Sequence, residues 1–189
     1  MTRIIGGIAG SLKLQSPAKT TRPTSDRVRE AIFNRLQARD LVTDAKVLDL
    51  YAGTGALALE ALSRGAASVV MVEANGKAAA VCVANAKLVQ KALEKADTWG
   101  EAKTVAKSVA SFLATEQNQF DLVFIDPPYE ITNAEVLENL TSLLPKLSKD
   151  AQLVLERSSR SGSPELPTGL TLEESKNYGD TDIHWISRA

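Results

Sequence analysis

Val47-Leu48-Asp49-Leu50-Tyr51-Ala52-Gly53-Thr54-Gly55-Ala56-Leu57-Ala58 reads as a strand, a tight turn and the start of a helix within twelve residues. Glycine at 53 and 55 permits positive φ and lets a ligand approach the backbone. The helix that follows offers unpaired N–H groups at its first turn. Outward from this stretch the alternation continues. Strands are predicted at Lys46–Leu50, Ser68–Glu73, Ala102–Ala106, Phe120–Ile125 and Ala151–Glu156. Helices are predicted at Ala56–Arg64, Gly76–Ala96, Val109–Glu116 and Ala134–Leu144. A repeating βα texture implies an α/β fold with a mostly parallel sheet and helices on both faces. Residues 157–168 read as a polar loop. Strands at about 169–176 and 181–187, around Asn177-Tyr178-Gly179-Asp180, predict a closing antiparallel hairpin.

The glycine turn narrows the ligand. Glu73 falls about twenty residues beyond Gly53, at the end of the next strand, where an acid can accept from ribose hydroxyls. Gly53-x-Gly55-x-x-Ala58 also satisfies a nicotinamide-dinucleotide fingerprint. Two features favour a different nucleoside. Asp49 at the strand end would repel a pyrophosphate and attract a cation, and residues 47–63 contain no Lys or Arg to neutralise phosphates. S-adenosylmethionine, an adenosine with a sulfonium and an amino-acid group, fits both. A turn that merely joins strand to helix remains the simpler alternative.

The second informative stretch is Asp126-Pro127-Pro128-Tyr129, directly after the apolar run Phe120–Ile125. An acid, two prolines and an aromatic ring at a strand's C-terminal end suit a planar base carrying an exocyclic amine. Such nitrogens are poor nucleophiles because the lone pair is delocalised into the ring. Two acceptors on the two N–H groups, the Asp126 carboxylate and the Pro127 carbonyl, would draw the nitrogen toward tetrahedral geometry. The prolines fix φ and pre-organise these acceptors. Tyr129 could stack on the base and favour a nearby sulfonium, and a paired base would first have to be flipped out. Asp-Pro-Pro can also simply end a strand in a turn, but ligand sites in parallel sheets form at C-terminal strand ends.

Composition sets the remaining bounds. At 189 residues and 44% hydrophobic, the chain suits one domain. It has no membrane-spanning apolar run and no signal-peptide stretch at its start. A lone cysteine, Cys82, in an Ala-rich segment reads as a small buried residue and suggests a reducing, cytoplasmic setting. With one His and one Cys no metal site is expected. Net charge is −1, yet residues 1–39 hold eight Lys/Arg against two acids, +6, leaving 14 basic and 21 acidic residues, −7, in the rest. That asymmetry suggests either a basic phosphate-binding face or a solvated charged helix. Residues 3–8 and 11–14 read as a small hairpin. Val28, Ile32, Phe33 and Leu36 recur at helical spacing after a Thr24 or Ser25 cap. His184 reads as a structural histidine and Trp99 as a loop anchor.

Asp49-x-x-x-Gly53-x-Gly55 with Asp126–Tyr129 resembles the class I S-adenosylmethionine-dependent amino-methyltransferases. The blocks Arg3-Ile4-Ile5-Gly6-Gly7, Arg22-Pro23-Thr24-Ser25-Asp26-Arg27-Val28-Arg29-Glu30-Ala31-Ile32-Phe33-Asn34 and Gly55-Ala56-Leu57-Ala58-Leu59-Glu60-Ala61-Leu62-Ser63-Arg64-Gly65-Ala66 are similar to the RsmD family, the 16S ribosomal RNA guanine-N2 methyltransferases. The resemblance covers nearly the whole chain. It implies a seven-stranded Rossmann-like sheet with a small N-terminal β-hairpin. Residues 1–39 would be an RNA-facing extension and residues 40–189 the S-adenosylmethionine-binding domain.

The resemblance also implies roles for individual residues. The cofactor would be held by Asp49, Tyr51, Ala52, Gly53, Thr54, Gly55, Glu73, Ala74, Ser108, Val109 and Asp126. Ser108 or a backbone group would stand where other class I enzymes carry an acid for the adenine. Asp126, Pro127, Pro128 and Tyr129 would be catalytic, and Arg22, Arg27, Arg29 and Tyr129 would meet RNA. The implied substrate is 16S rRNA in the 30S subunit or a late assembly intermediate, and the implied enzyme is a monomer. Two rivals are an amino-methyltransferase acting on another RNA, DNA adenine or protein glutamine, and a nicotinamide-dependent oxidoreductase.

Overall fold

In the computed structural model the described residues are 2–16 and 25–189. The block containing Arg22 therefore lies partly outside them. Seven strands form one sheet: β1 (Lys46–Leu50), β2 (Ser68–Val72), β3 (Glu101–Val105), β4 (Phe120–Ile125), β5 (Leu147–Ser158), β6 (Leu170–Asn177) and β7 (Thr181–Arg188). Their order is β3-β2-β1-β4-β5-β7-β6. The first five strands run parallel, and β7 is inserted antiparallel between β5 and β6. The expected architecture of a mostly parallel, doubly covered sheet is thus present. β5 is longer than its sequence pattern suggests, because polar Ser148, Lys149 and Asp150 interrupt the apolar run.

The helices are α1 (Asp26–Ala38), α2 (Ala56–Ser63), α3 (Gly76–Lys95), α4 (Val109–Thr115) and α5 (Asn133–Leu143). α1, α2 and α3 share a core with Phe124, Val154 and Trp185 on one face of the sheet. α4 and α5 pack with Leu48, Val123 and Leu153 on the other. Val28, Ile32, Phe33 and Leu36 are all buried on one stripe of α1, and Ser25 caps it by accepting from the Val28 N–H at 3.3 Å. Among the described residues no helix is long and apolar enough to cross a membrane.

The N-terminal hairpin is smaller than expected. It is one antiparallel bridge, Arg3 to Lys13, with no strand around it. Beside that bridge the Ile4, Ser11 and Leu14 N–H groups donate across the arm to the Leu12, Ile4 and Thr2 carbonyls, each at 2.9 Å, while the backbone of residues 5–9 between them bonds α2. Glu60, fully buried, accepts from the Ile5 and Gly6 N–H groups at 2.6 and 2.8 Å and from Arg64 Nε at 2.7 Å. Ser63 accepts from the Ala9 N–H at 2.9 Å and donates to the Gly6 carbonyl at 2.7 Å. A β-carbon on Gly7 would sit 2.0 Å from the Ser63 carbonyl oxygen, so only glycine lets the arm lie this close. Ile4, Ala9 and Leu14 enter the same core as α1 and the sheet, so residues 1–39 and 40–189 share a core.

Candidate active site

The glycine turn is braced from two sides by carboxylates. Gly55 caps α2 in the left-handed region, φ +78°, and has no side chain to cap with. Asp49 takes that role from β1, its Oδ2 accepting from the Ala58 N–H at 3.2 Å. Burial pushes the Asp49 carboxyl up to about 7; the Ala58 N–H opposes the shift and the nearby Glu73 adds to it. Glu73 accepts from the Gly53 N–H at 2.8 Å and the Asn75 N–H at 2.7 Å. One lone pair on each Glu73 oxygen therefore serves the backbone and the other remains for a further donor. The two glycines differ. A β-carbon on Gly55 would strike Cys82 Sγ and Met71 Sδ at 2.8 Å, while one on Gly53, φ +55°, would meet nothing within 4 Å. Gly55 is packed; Gly53 borders open space.

The Asp126–Tyr129 stretch lies beside this turn because β4 pairs with β1, Leu50 opposite Ile125. The Asp126 N–H reaches the Leu50 carbonyl at 3.5 Å, so Asp126 begins where Tyr51 leaves the sheet. Pro127 is buried, and Tyr129 is 67% exposed. The Ile131 N–H closes the turn onto the Pro128 carbonyl at 3.0 Å. Arg157, buried at the end of β5, donates to the Ile131 carbonyl and to Asn133 Oδ1, both at 2.9 Å. Thr132 and Glu135 form a reciprocal capping box at the start of α5. Tyr51, at φ +65°, accepts at its hydroxyl from Asn139 of α5 at 2.8 Å.

Several residues stand elsewhere than the sequence suggests. Arg29 is 1% exposed and donates to the Arg3 carbonyl at 2.6 Å and Asp26 at 2.9 Å, so it is not presented to a substrate. Arg27 is exposed, and Arg22 lies outside the described residues. The +6 of the N-terminal stretch is largely used internally. Arg3 pairs with Asp26, Arg35 with Glu173 and Glu174, and Arg39 with Glu173. Ser108 caps α4, accepting from the Ser111 N–H at 3.2 Å and donating to Ser111 Oγ at 2.8 Å, and Val109 is buried. Ala74 is exposed beside Glu73. Ala52 donates to the Val72 carbonyl at 2.9 Å. Trp99, expected as a loop anchor, is 74% exposed.

One residue escaped the sequence reading. Asn85 of α3, fully buried, accepts from the Gln15 N–H at 2.8 Å and donates to the carbonyls of Gln15 at 3.1 Å and Thr54 at 2.9 Å. It ties the N-terminal arm to the glycine turn. The only cue was a single polar residue in the Ala-rich stretch 78–86 of that helix. Cys82, also buried there, has its thiol pushed up to about 12 by burial and contacts Met71 Sδ at 3.4 Å, which leaves it unreactive.

The family described as Conserved hypothetical protein 95 matches residues 2–187. The chain is 35% identical over 187 residues to Ribosomal RNA small subunit methyltransferase D of Escherichia coli (strain K12), across 98% of this chain and 89% of that one. It is 36% identical over 136 residues to the protein of the same name in Haemophilus influenzae, across 70% and 66% of the two chains. The solved structure of Escherichia coli yhhF superposes with a TM-score of 0.82 at 32% identity, covering 99% of this chain and 97% of that one. A hypothetical protein of Thermus thermophilus does so with a TM-score of 0.79 at 29% identity, over 98% of each chain. With the braced glycine turn and the Asp-Pro-Pro-Tyr stretch side by side at the C-terminal edge of such a sheet, the chain belongs to the RsmD family of class I methyltransferases.

Proposed function

We propose that this protein transfers a methyl group from S-adenosylmethionine to the exocyclic N2 amine of one guanine in 16S ribosomal RNA, acting as a monomer on the small subunit or a late assembly intermediate. The observation that carries this reading is the pairing of β1 with β4, which sets the glycine turn and Asp126 side by side. The turn fits the cofactor. Open space faces Gly53, a buried carboxyl at Asp49 is poised to lose its proton toward a cationic ligand, and Glu73 keeps acceptor capacity for ribose hydroxyls. Tyr51, Ala52, Thr54, Gly55 and Ala74 complete the rim. Because the Ser108 hydroxyl is engaged in capping, backbone around Ser108 and Val109 is the better source of adenine contacts.

When bound, S-adenosylmethionine supplies the electrophilic methyl group. Asp126 accepts one N–H of the guanine amine. The Pro127 carbonyl accepts the other, since the Pro128 carbonyl already serves Ile131. The nitrogen lone pair is thereby localised and aimed, and Tyr129 holds the base by stacking. Asp126 orients the amine and need not be a strong base. The nitrogen displaces the thioether, which leaves with the bonding pair of the broken carbon–sulfur bond. Made acidic by its new bond to carbon, the nitrogen then gives up one proton through Asp126 to water. Arg27 and Arg22 would position the RNA backbone. Labelled methyl transfer should occur to 30S subunits from a strain lacking the modification, and not to already modified 30S or to duplex DNA. Asp126→Ala should abolish transfer with cofactor affinity nearly intact. Transfer to naked DNA or protein would overturn the assignment.

A further inference from the structure

A second cleft, of about 380 Å³, opens between the start of α1 and the β6–β7 turn, lined by Ser25, Arg27, Val28, Asn177, Tyr178 and Gly179. Its position follows from strand register. Ile125 pairs with Leu155, Glu156 with Ile183, and Ile183 with Lys176. Lys176 therefore stands at the level of Asp126, three strand spacings away, about 14 Å. The Phe124–Val154 and Ile183 positions face the α1 side of the sheet, so Asp126 and Lys176 share that face.

The turn is held rigidly. Tyr178 N–H donates to the Thr181 carbonyl at 2.7 Å, and Asn177 Nδ2 donates to the Gly179 carbonyl at 3.0 Å and to Asp182 at 2.7 Å. Tyr178 packs partly on the core, with the Lys176 ammonium 5.5 Å from its ring centroid. Of the nearby acids, Glu173 and Glu174 pair with Arg35 and Arg39, Asp182 accepts from Asn177, and Asp180 of the turn and Glu156, opposite Ile183, have interactions of their own. Among the described residues no carboxylate pairs with Arg27 or Lys176. A fixed aromatic ring with Arg27 in the same cleft and the Lys176 ammonium beside it has the composition of a single-stranded nucleic-acid site: a ring for a base, cations for its phosphates.

We propose that this cleft receives an unpaired ribonucleotide flanking the target guanine, its base on Tyr178 and its phosphates toward Arg27 and Lys176. The proposal rests on the RNA-methylating reading above and adds a second grip on the same strand. A strand gripped at two points about 14 Å apart is held in one direction across the site.

The test uses the full-length protein with 30S subunits lacking the methyl group, under single turnover, together with filter binding to 16S rRNA at several salt concentrations. Wild-type transfer tests the methyltransferase reading; failure there while the variants still weaken rRNA binding would leave the cleft standing. Tyr178→Ala should weaken rRNA binding about fivefold to a hundredfold. Tyr178→Phe should bind like wild type, since stacking needs the ring and not the hydroxyl. Arg27→Ala and Lys176→Ala should each lower the slope of log affinity against log salt by about 1. S-adenosylmethionine affinity should be unchanged in all four, and the thermal midpoint in all but Tyr178→Ala, which removes a ring packed partly on the core. Unaltered rRNA binding in Tyr178→Ala, an equal loss in Tyr178→Phe, or salt slopes like wild type in both cation variants would overturn the proposal. Lys176→Ala changes an exposed side chain, so it remains informative if Tyr178→Ala is unstable.

Discussion

Replacing Gly55 with alanine places a β-carbon 2.8 Å from both Cys82 Sγ and Met71 Sδ and 3.3 Å from Leu59 Cδ1, on a backbone at φ +78°. Two costs add. A left-handed conformation costs an L-residue about 1–2 kcal/mol. Overpacking a filled core costs about 1–3 kcal/mol more, because the buried neighbours must shift. The sum, roughly 2–5 kcal/mol, is a large share of the ~5–15 kcal/mol that holds a domain together. For a chain of this size it corresponds to a fall in Tm on the order of 10 °C. Gly53→Ala shares the first cost at φ +55° but not the second, since nothing lies within 4 Å of the added carbon. Its Tm should fall by only a few degrees, while the methyl projects into the space assigned to S-adenosylmethionine. Differential scanning fluorimetry and calorimetric titration with the cofactor separate the two. Gly55→Ala should lose stability first; Gly53→Ala should lose affinity first. A Gly55→Ala protein with wild-type Tm, or equal Tm losses in both, would refute the division of labour between the glycines.

Asp49 predicts a pH dependence. Its folded carboxyl is raised from 3.8 to about 7. A cationic ligand favours the ionised form, so S-adenosylmethionine affinity should fall about tenfold per pH unit below 7, plateau above it, and release close to one proton below it; titration in buffers of different ionisation enthalpy reads this directly. Because the ligand-free fold holds that proton more tightly than the unfolded chain, Asp49 costs nothing below about pH 4. Its cost grows to at most about 4 kcal/mol as pH climbs to 7, so Asp49→Asn should raise Tm at pH 8 while weakening cofactor binding. Glu60→Ala leaves the Ile5 and Gly6 N–H groups and the Arg64 guanidinium without their acceptor. It should cost about 3–5 kcal/mol and expose residues 2–14 to limited proteolysis before the rest of the chain; simultaneous cleavage throughout would argue against a separately held arm. Asn85→Asp can still accept from Gln15 but cannot donate to the Thr54 and Gln15 carbonyls. Hydrogen exchange should therefore speed up at both Gln15 and the glycine turn, and protection at either one unchanged would break the proposed link.

The parts of this fold that could be read from residue order are those whose partners are local or periodic. Val28, Ile32, Phe33 and Leu36 bury one stripe, and β1, the glycine turn and α2 follow one another without a gap. What could not be read depends on distant partners. The arm reads as a hairpin from two short apolar-rich pieces separated by Gly10, and its ends do pair across one bridge. What could not be read is that the Ile5, Gly6 and Ala9 N–H groups are met by Glu60 and Ser63, more than fifty positions later. Arg29 is an RNA contact by what the resemblance implies; its burial depends on the Arg3 carbonyl and Asp26, partners that the block 22–34 does not reveal. The basic N-terminal charge looked available until β6 placed Glu173 and Glu174 against Arg35 and Arg39. The juxtaposition of Asp126 with the glycine turn was legible only through the general rule that parallel sheets gather their sites at C-terminal strand ends.

The anchoring of the arm on α2 and α3 has a consequence for biogenesis. The segment 5–15 cannot complete its docking until Glu60, Ser63 and Asn85, which follow it in synthesis, have emerged. At about 5–20 residues per second, several seconds separate its emergence from that of its last partner. During that interval Ile4, Ala9 and Leu14, later sealed in the core, lack the cover that α2, α3 and the sheet supply. Once docked, the same Asn85 that holds Gln15 also holds Thr54. One amide side chain therefore closes the glycine turn in the same act that fastens the arm.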